Sequence, residues 1–435
     1  MKNNRTKIKS PFNRKIKGGA LQYTIFIAVV IALLVFAFIA LTYTQQHFKS
    51  KAIHFLQVIH NTNLAINYAS TTSIKYDETV ELQFSDTFKD KTTIMQKHWG
   101  LFDMLKTSST LQKETFTKNA LLGGFLQDRP SLYVQENNQP LVLVGDSRIE
   151  GITFLPKQGI KRGTIAGNSF TGSQLIYGSI GLSNTKLPEI KNREYLKRLT
   201  QGKIQFNNTV PLELNENTKF INSFNSPTQY FYSNTNINLQ NIQLTGNIVI
   251  QSTSLIKIYP SALLTDIILI APKIEISQNV TGNFQAFASK EIHVKKNCKL
   301  GFPTALFVYK KKKNTTSLPQ PNPDPITNLI EIQTGAIING IVGFLTDNQT
   351  NNFKPQILQE NDSTIKGEVY CNGNFELKGT VMGSVFTKGF IASQFGSIYQ
   401  NHIYNGNILS TGFPKEYCGL TLKKSTKKVS KWLYY

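Results

Sequence analysis

An uninterrupted apolar run near the N-terminus constrains this chain most. Residues 25–41 read IFIAVVIALLVFAFIAL, and no Asp, Glu, Lys or Arg falls between Lys17 and Lys49. A helix rising about 1.5 Å per residue needs roughly twenty residues to cross the hydrocarbon layer of a bilayer. Residues 20–43 supply that length, with Tyr23 and Tyr43 at the two ends, where an amphipathic ring prefers the headgroup region. The lipid bilayer is therefore the first expected partner, engaged through residues 20–43. Lys2, Arg5, Lys7, Lys9, Arg14, Lys15 and Lys17 precede the run without an acid among them, and only Lys49 and Lys51 closely follow it. By the positive-inside rule, residues 1–19 form a basic cytoplasmic tail and the chain beyond about residue 44 lies outside, in the periplasm or at the surface. A signal peptide begins in the same way, but this run exceeds a signal core and residues 42–47 offer no small-residue cleavage site, so the span is expected to stay.

Past the membrane the helical pattern continues. Phe48, Ala52, Phe55, Leu56, Ile59 and Ile66 recur mostly at three- to four-residue intervals, predicting a juxtamembrane amphipathic helix over residues 44–70. Its apolar stripe is expected to lie on the following domain, whose first strand falls at residues 80–84. The basic leader, Gly18 and Gly19, and an apolar helix beginning Ala20-Leu21 resemble the N-terminus of type IV minor pilin-like proteins. That resemblance covers about the first seventy residues and implies a cut before Ala20 and assembly with other chains. Thr24 stands where major pilins carry a glutamate.

After residue 76 short apolar runs alternate with Gly, Asn, Ser and Thr, the punctuation of strands and turns. The fold class expected is mainly β: an N-terminal transmembrane helix followed by a β-rich ectodomain with parallel β-helix, or solenoid, coils. A first β-rich region spans residues 76–205, with a helix near 188–199 (PEIKNREYLKRL). Over residues 226–313 a period emerges: Ile258, Ile276 and Val294 are eighteen apart, and Ile250, Ile270 and Ala288 are separated by twenty and eighteen. A three-sided coil needs a repeat of about this length. Residues 314–326 form a Pro-rich linker through which no strand runs, so the coils are expected in two blocks. In the second block, residues 327–410, Gly367, Gly373 and Gly379 are six apart, as are Gly383 and Gly389; each suits a corner, with Val369, Phe375, Leu377, Val381 and Val385 pointing inward. This stretch, roughly 330–393, resembles the polymer-forming β-helix of bactofilins. Residues 411–435 make a basic, aromatic tail that either docks on an anionic surface or closes the last coil.

Chemistry is sparse. The net charge of +22 is scattered and accompanied by no nucleic-acid motif, so no nucleic-acid partner is expected. Cys298, Cys371 and Cys418 lie far apart and form no metal or redox motif; a bridge between Cys371 and Cys418 is the one alternative to free thiols. His54 and His60, six apart on a helix, do not share a face. Glu275 and His293 are one eighteen-residue repeat apart and so stack on an outer face, where Asp266, Glu291, Glu368 and Glu376 are the other acids. Solvated polar side chains belong there by default, and no catalytic, cofactor or metal residue is assigned: the chain reads as a non-enzyme. The expected work is structural assembly or adhesion through self-assembly or protein partners, possible in a pilus-like or secretion apparatus. The alternative is a β-helix that binds or cleaves a surface polysaccharide, with a glycan as partner.

Overall fold

The computed structural model describes residues 19–84, 90–206, 209–311, 329–347 and 353–434. The basic tail, apart from Gly19, and the whole Pro-rich linker lie outside them. The chain is mainly β, with one long apolar helix, α1 (Gly19–Thr71).

Four strands follow α1 as an antiparallel meander: β1 (Thr79–Leu82), β2 (Lys91–Trp99), β3 (Phe102–Leu111) and β4 (Glu114–Phe125). A fifth strand, Thr426–Leu433, closes this sheet by pairing antiparallel with β4, Trp432 opposite Ala120. The C-terminal tail therefore neither caps the last coil nor hangs free. Its alternating sequence TKKVSKWL is that of a half-buried strand, and the open edge of β4 is where such a strand finds its hydrogen bonds.

Apart from two short antiparallel hairpins, at 164–169 and 391–400, the rest of the β-structure consists of parallel ladders. In one, Ile256, Ile274, Ile292, Ile330, Ile357, Phe375 and Phe390 are successive register partners. In a second, Ile250, Leu269, Ala286, Leu306, Val342, Val369, Val385 and Leu132 stand in line. In a third, Leu300, Ile338, Ile365, Val381, Ile408 and Ile149 do. All of these side chains are buried in one continuous apolar cluster. Ile258, Ile276 and Val294 are direct partners, as their spacing predicts. The other series is out of register by one: Ile250 faces Leu269, and Ile270 turns to the opposite side of its strand, into a second cluster with Phe287 and Phe307. Because successive residues of a strand alternate faces, a one-residue offset moves a side chain from one core to the other.

The ladders are not divided into two blocks. Ile292 pairs with Ile330 and Leu300 with Ile338, so pairing runs straight past the Pro-rich stretch. The six-residue glycine spacing also resolves differently. Gly340, Gly367 and Gly383 are stacked register partners with φ of 149°, 152° and 141°, and a Cβ on Gly367 would lie 1.8 Å from the Gly340 carbonyl oxygen. Only glycine permits that approach. Gly373 and Gly379 carry no such φ and instead leave room for Gln356 and Ser363.

Chain order and spatial order differ. Leu132–Val134, Thr153–Leu155 and Ile180–Leu182 stack beyond the last rung of Thr380–Gln394, so an early segment forms the far end of the ladders. The chain then returns along their flank through helix α2 (Arg193–Thr200), close to the predicted 188–199, which buries Leu196 and Leu199 against the second cluster.

Candidate functional site: an exposed helix and a polar seam

The first thirty-two residues of α1, up to Ser50, are exposed throughout; contact with the body begins where Lys51 pairs with Glu114 at 3.8 Å and Phe55 meets Phe116 edge-on at 6.0 Å. Phe26, Phe36 and Phe38 are about two-thirds exposed, as are Phe48 and Leu56 further on. Val58 is the first buried residue, and about 48 Å of helix precedes the first contact with the body at 1.5 Å per residue. The buried face is Val58, Asn61, Thr62, Ala65, Ile66 and Ala69. Of the predicted stripe Ile66 is buried, Ile59 is half-buried and Phe55 meets Phe116 edge-on, whereas Phe48 and Leu56 are exposed. The physical reason is size: Ala65 and Ala69 let the helix approach the sheet closely enough to meet Ile94, Leu105 and Leu122, which bulky residues would prevent.

Polar pins fix this seat. Asn61 Nδ2 donates to Asp90 Oδ2 at 2.8 Å and Lys118 Nζ donates to Asn63 Oδ1 at 2.8 Å, both across to the body, while the buried Thr62 hydroxyl is satisfied within the helix by the Val58 carbonyl at 2.7 Å. A buried donor or acceptor left unpaired costs about 1–3 kcal/mol, so these bonds define one seating of the helix.

A seam of buried charge runs through this sheet and along its border with the ladders. Asp103 accepts from Tyr76 Oη, Gln96 Nε2 and His98, each at 3.0 Å, and pairs with Lys427 at 2.8 Å. Burial alone would raise its pKa, but the bonds from His98 and Lys427 outweigh burial and hold it below the usual value. The His98 ring lies between those of Tyr76 and Tyr195, with centroids 3.7 and 4.1 Å away. Further along, Lys431 pairs with Asp266, whose carboxyl is nonetheless raised because burial outweighs the single lysine. Arg129 pairs with Glu368, which is fully buried and also accepts the Leu420 backbone N–H at 2.6 Å. Gln285 clamps the turn between β2 and β3, accepting from the Leu101 N–H at 2.8 Å and donating to the Trp99 carbonyl at 3.0 Å. Three ion pairs thus join segments 160 to 330 residues apart, which no local motif could reveal.

The acids read from the sequence sit differently. Glu275 and His293 are register partners, but Glu275 pairs with Lys257 at 3.0 Å. His293 Nδ1 contacts Glu331 at 2.9 Å, and its Nε2 lies 3.6 Å from Glu291. Asp266, Glu368 and Glu376 are buried rather than outward. Among the described residues no group of three His, Cys, Asp or Glu side chains could hold a metal, and Cys298, Cys371 and Cys418 are buried and unpaired.

No protein-family model and no curated protein matches the chain, so the bactofilin-like expectation has no support from them. Among solved structures it is similar to the competence-associated pilin ComZ from Thermus thermophilus, at 10% identity and a TM-score of 0.19. That match covers 89% of this chain and 94% of that one. A superposition of this quality does not establish a shared fold.

Proposed function

We propose that this is a membrane-anchored, non-enzymatic envelope protein that works by assembly. The observation that carries the reading is the free half of α1: apolar, uncharged and unpacked over a length that matches a bilayer and then continues beyond it. The flanking charges favour a cytoplasmic N-terminus and an extracytoplasmic ectodomain. The ladders are best described as the sides of one parallel β-solenoid, because each strand pairs in parallel with the strand one repeat away and all inward side chains share one core. Two surfaces suit protein partners or further copies of the chain. One is the exposed row on α1 above the span, including Phe48, Ile53 and Leu56. The other is the strand Ile180–Leu182, where Ile180 and Leu182 are 59% and 69% exposed and whose ladder partner among the described residues is Thr153–Leu155. A pilus-like or secretion assembly accommodates both.

N-terminal sequencing with intact mass on native membranes tests the anchor. A start at Met1 supports a permanent span, a start at Ala20 supports a processed, pilin-like subunit, and a mature chain starting beyond residue 44 overturns the anchor. Phe48→Cys cross-linking in membranes tests assembly: covalent oligomers or adducts are expected, and a clean monomer counts against it.

A further inference from the structure

Near the start of the ladders, away from the seam and from α1, a groove of about 500 Å³ opens between strand Thr228–Ser233 and the segment that follows α2. Its floor and walls are aromatic. The rings of Tyr230 and Tyr232 are parallel within 15° with centroids 6.5 Å apart, and Phe206 stands 6.0 Å from Tyr230 on the opposite bank. Tyr232 is 48% exposed and fixed by a 2.7 Å bond from its hydroxyl to Asn234 Oδ1. The Tyr230 hydroxyl donates to Gln251 Oε1 at 3.1 Å, and Gln251 Nε2 donates to the Gly202 carbonyl at 3.2 Å, so one amide ties the two banks together. Gln205 and Lys203 complete the rim, and among the described residues no carboxylate lines the groove.

We propose that this groove is a binding subsite for a polysaccharide chain. Flat aromatic faces held rigidly on a strand offer apolar area at little entropic cost, which matches the C–H face of a pyranose ring. Amides and an ammonium on the rim match hydroxyl groups, and the absence of carboxylates admits neutral or acidic sugars alike. The groove is open rather than enclosed, so a polymer can pass through where a small free ligand would be poorly held. Nothing in the lining supplies an acid and base pair for glycosidic cleavage, so the subsite holds the chain and does not cut it.

The test is a glycan array probed with the purified full chain in detergent, followed by titration with chitohexaose, cellohexaose and oligogalacturonate. At least one of these probes is expected to bind, with affinity reduced tenfold or more in Tyr232→Ala and retained in Tyr232→Phe, which keeps the ring. Tyr232 is half-exposed, so both variants are expected to unfold at the wild-type temperature, and that is measured alongside. Absence of binding to every probe, or equal binding by Tyr232→Ala, overturns the proposal. So does preferential capture of a proline-rich peptide, which also fits aromatic grooves. The assay uses isolated protein, so its outcome is independent of whether the chain is anchored and assembles as proposed above.

Discussion

The ladders and the sheet that seats α1 are both β-structure, yet they are held by different physics. The ladders bury long lines of Ile, Leu, Val and Phe with each line sharing its neighbours, so stability is spread over many similar contacts. The sheet buries Thr92, Gln96, Asp103, Thr107 and Ser109, is braced internally by the Asp103–Lys427 pair and is tied to the ladders by Lys431–Asp266, so it depends on a few particular partners. Distributed apolar burial tolerates small changes in proportion to their size. A buried polar seam accepts one arrangement and penalises every other.

Substitutions should separate the two regimes, with urea unfolding followed by the fluorescence of Trp99 and Trp432, the chain's two tryptophans. The largest effect is expected for Glu368→Ala, which leaves Arg129 buried without its partner and should cost about 3–5 kcal/mol. Replacing both residues by apolar ones of similar volume should recover most of that loss, because the penalty lies in the unpaired charge. In the ladders, Ile292→Ala should cost about 2–5 kcal/mol and Ile292→Val only about 0.5–1.5, a graded response. A step of equal size for both ladder variants would remove the distinction.

The comparison can be sharpened with pH. Asp103 is held below its ordinary 3.8, so its contribution to stability is present above that pH and lost as the pH falls through its lower folded value. Asp103→Asn should be less stable at neutral pH and show a flatter stability profile below about 4. An unchanged acid limb would mean that other carboxylates set it. The smallest effect is expected for Lys91→Ala, which removes an exposed pair with Glu81 and should change stability by about 0–1 kcal/mol, less at high salt.

What the sequence disclosed follows the same division. The apolar span, the eighteen-residue register of Ile258, Ile276 and Val294, the inward Val369, Phe375 and Val381, and the helix after Pro188 were legible because each rests on local periodicity. The seam was not, since Asp103 and Lys427 meet only after the whole chain has folded between them. The helix face was misjudged for a related reason: large apolar residues such as Phe48 signal burial in general, while Ala65 and Ala69 carry the fit to this particular sheet. The glycine hexads misled because spacing along the chain was read where stacking between chain segments decides, as at Gly340, Gly367 and Gly383.

One feature of connectivity bears on how the protein is made. The strand that closes the helix-bearing sheet sets Thr426 opposite Phe125, 301 residues earlier, so the sheet cannot close until every ladder residue between them has been made. Until that strand arrives, β4 keeps an open edge, and Lys427 and Lys431 cannot reach Asp103 and Asp266. The platform on which the helix sits is therefore among the last parts completed, although its first four strands are among the earliest β-structure to emerge. A chain without residues 426–433 would keep the ladders but leave the β4 edge open, a template on which a strand from another molecule could pair.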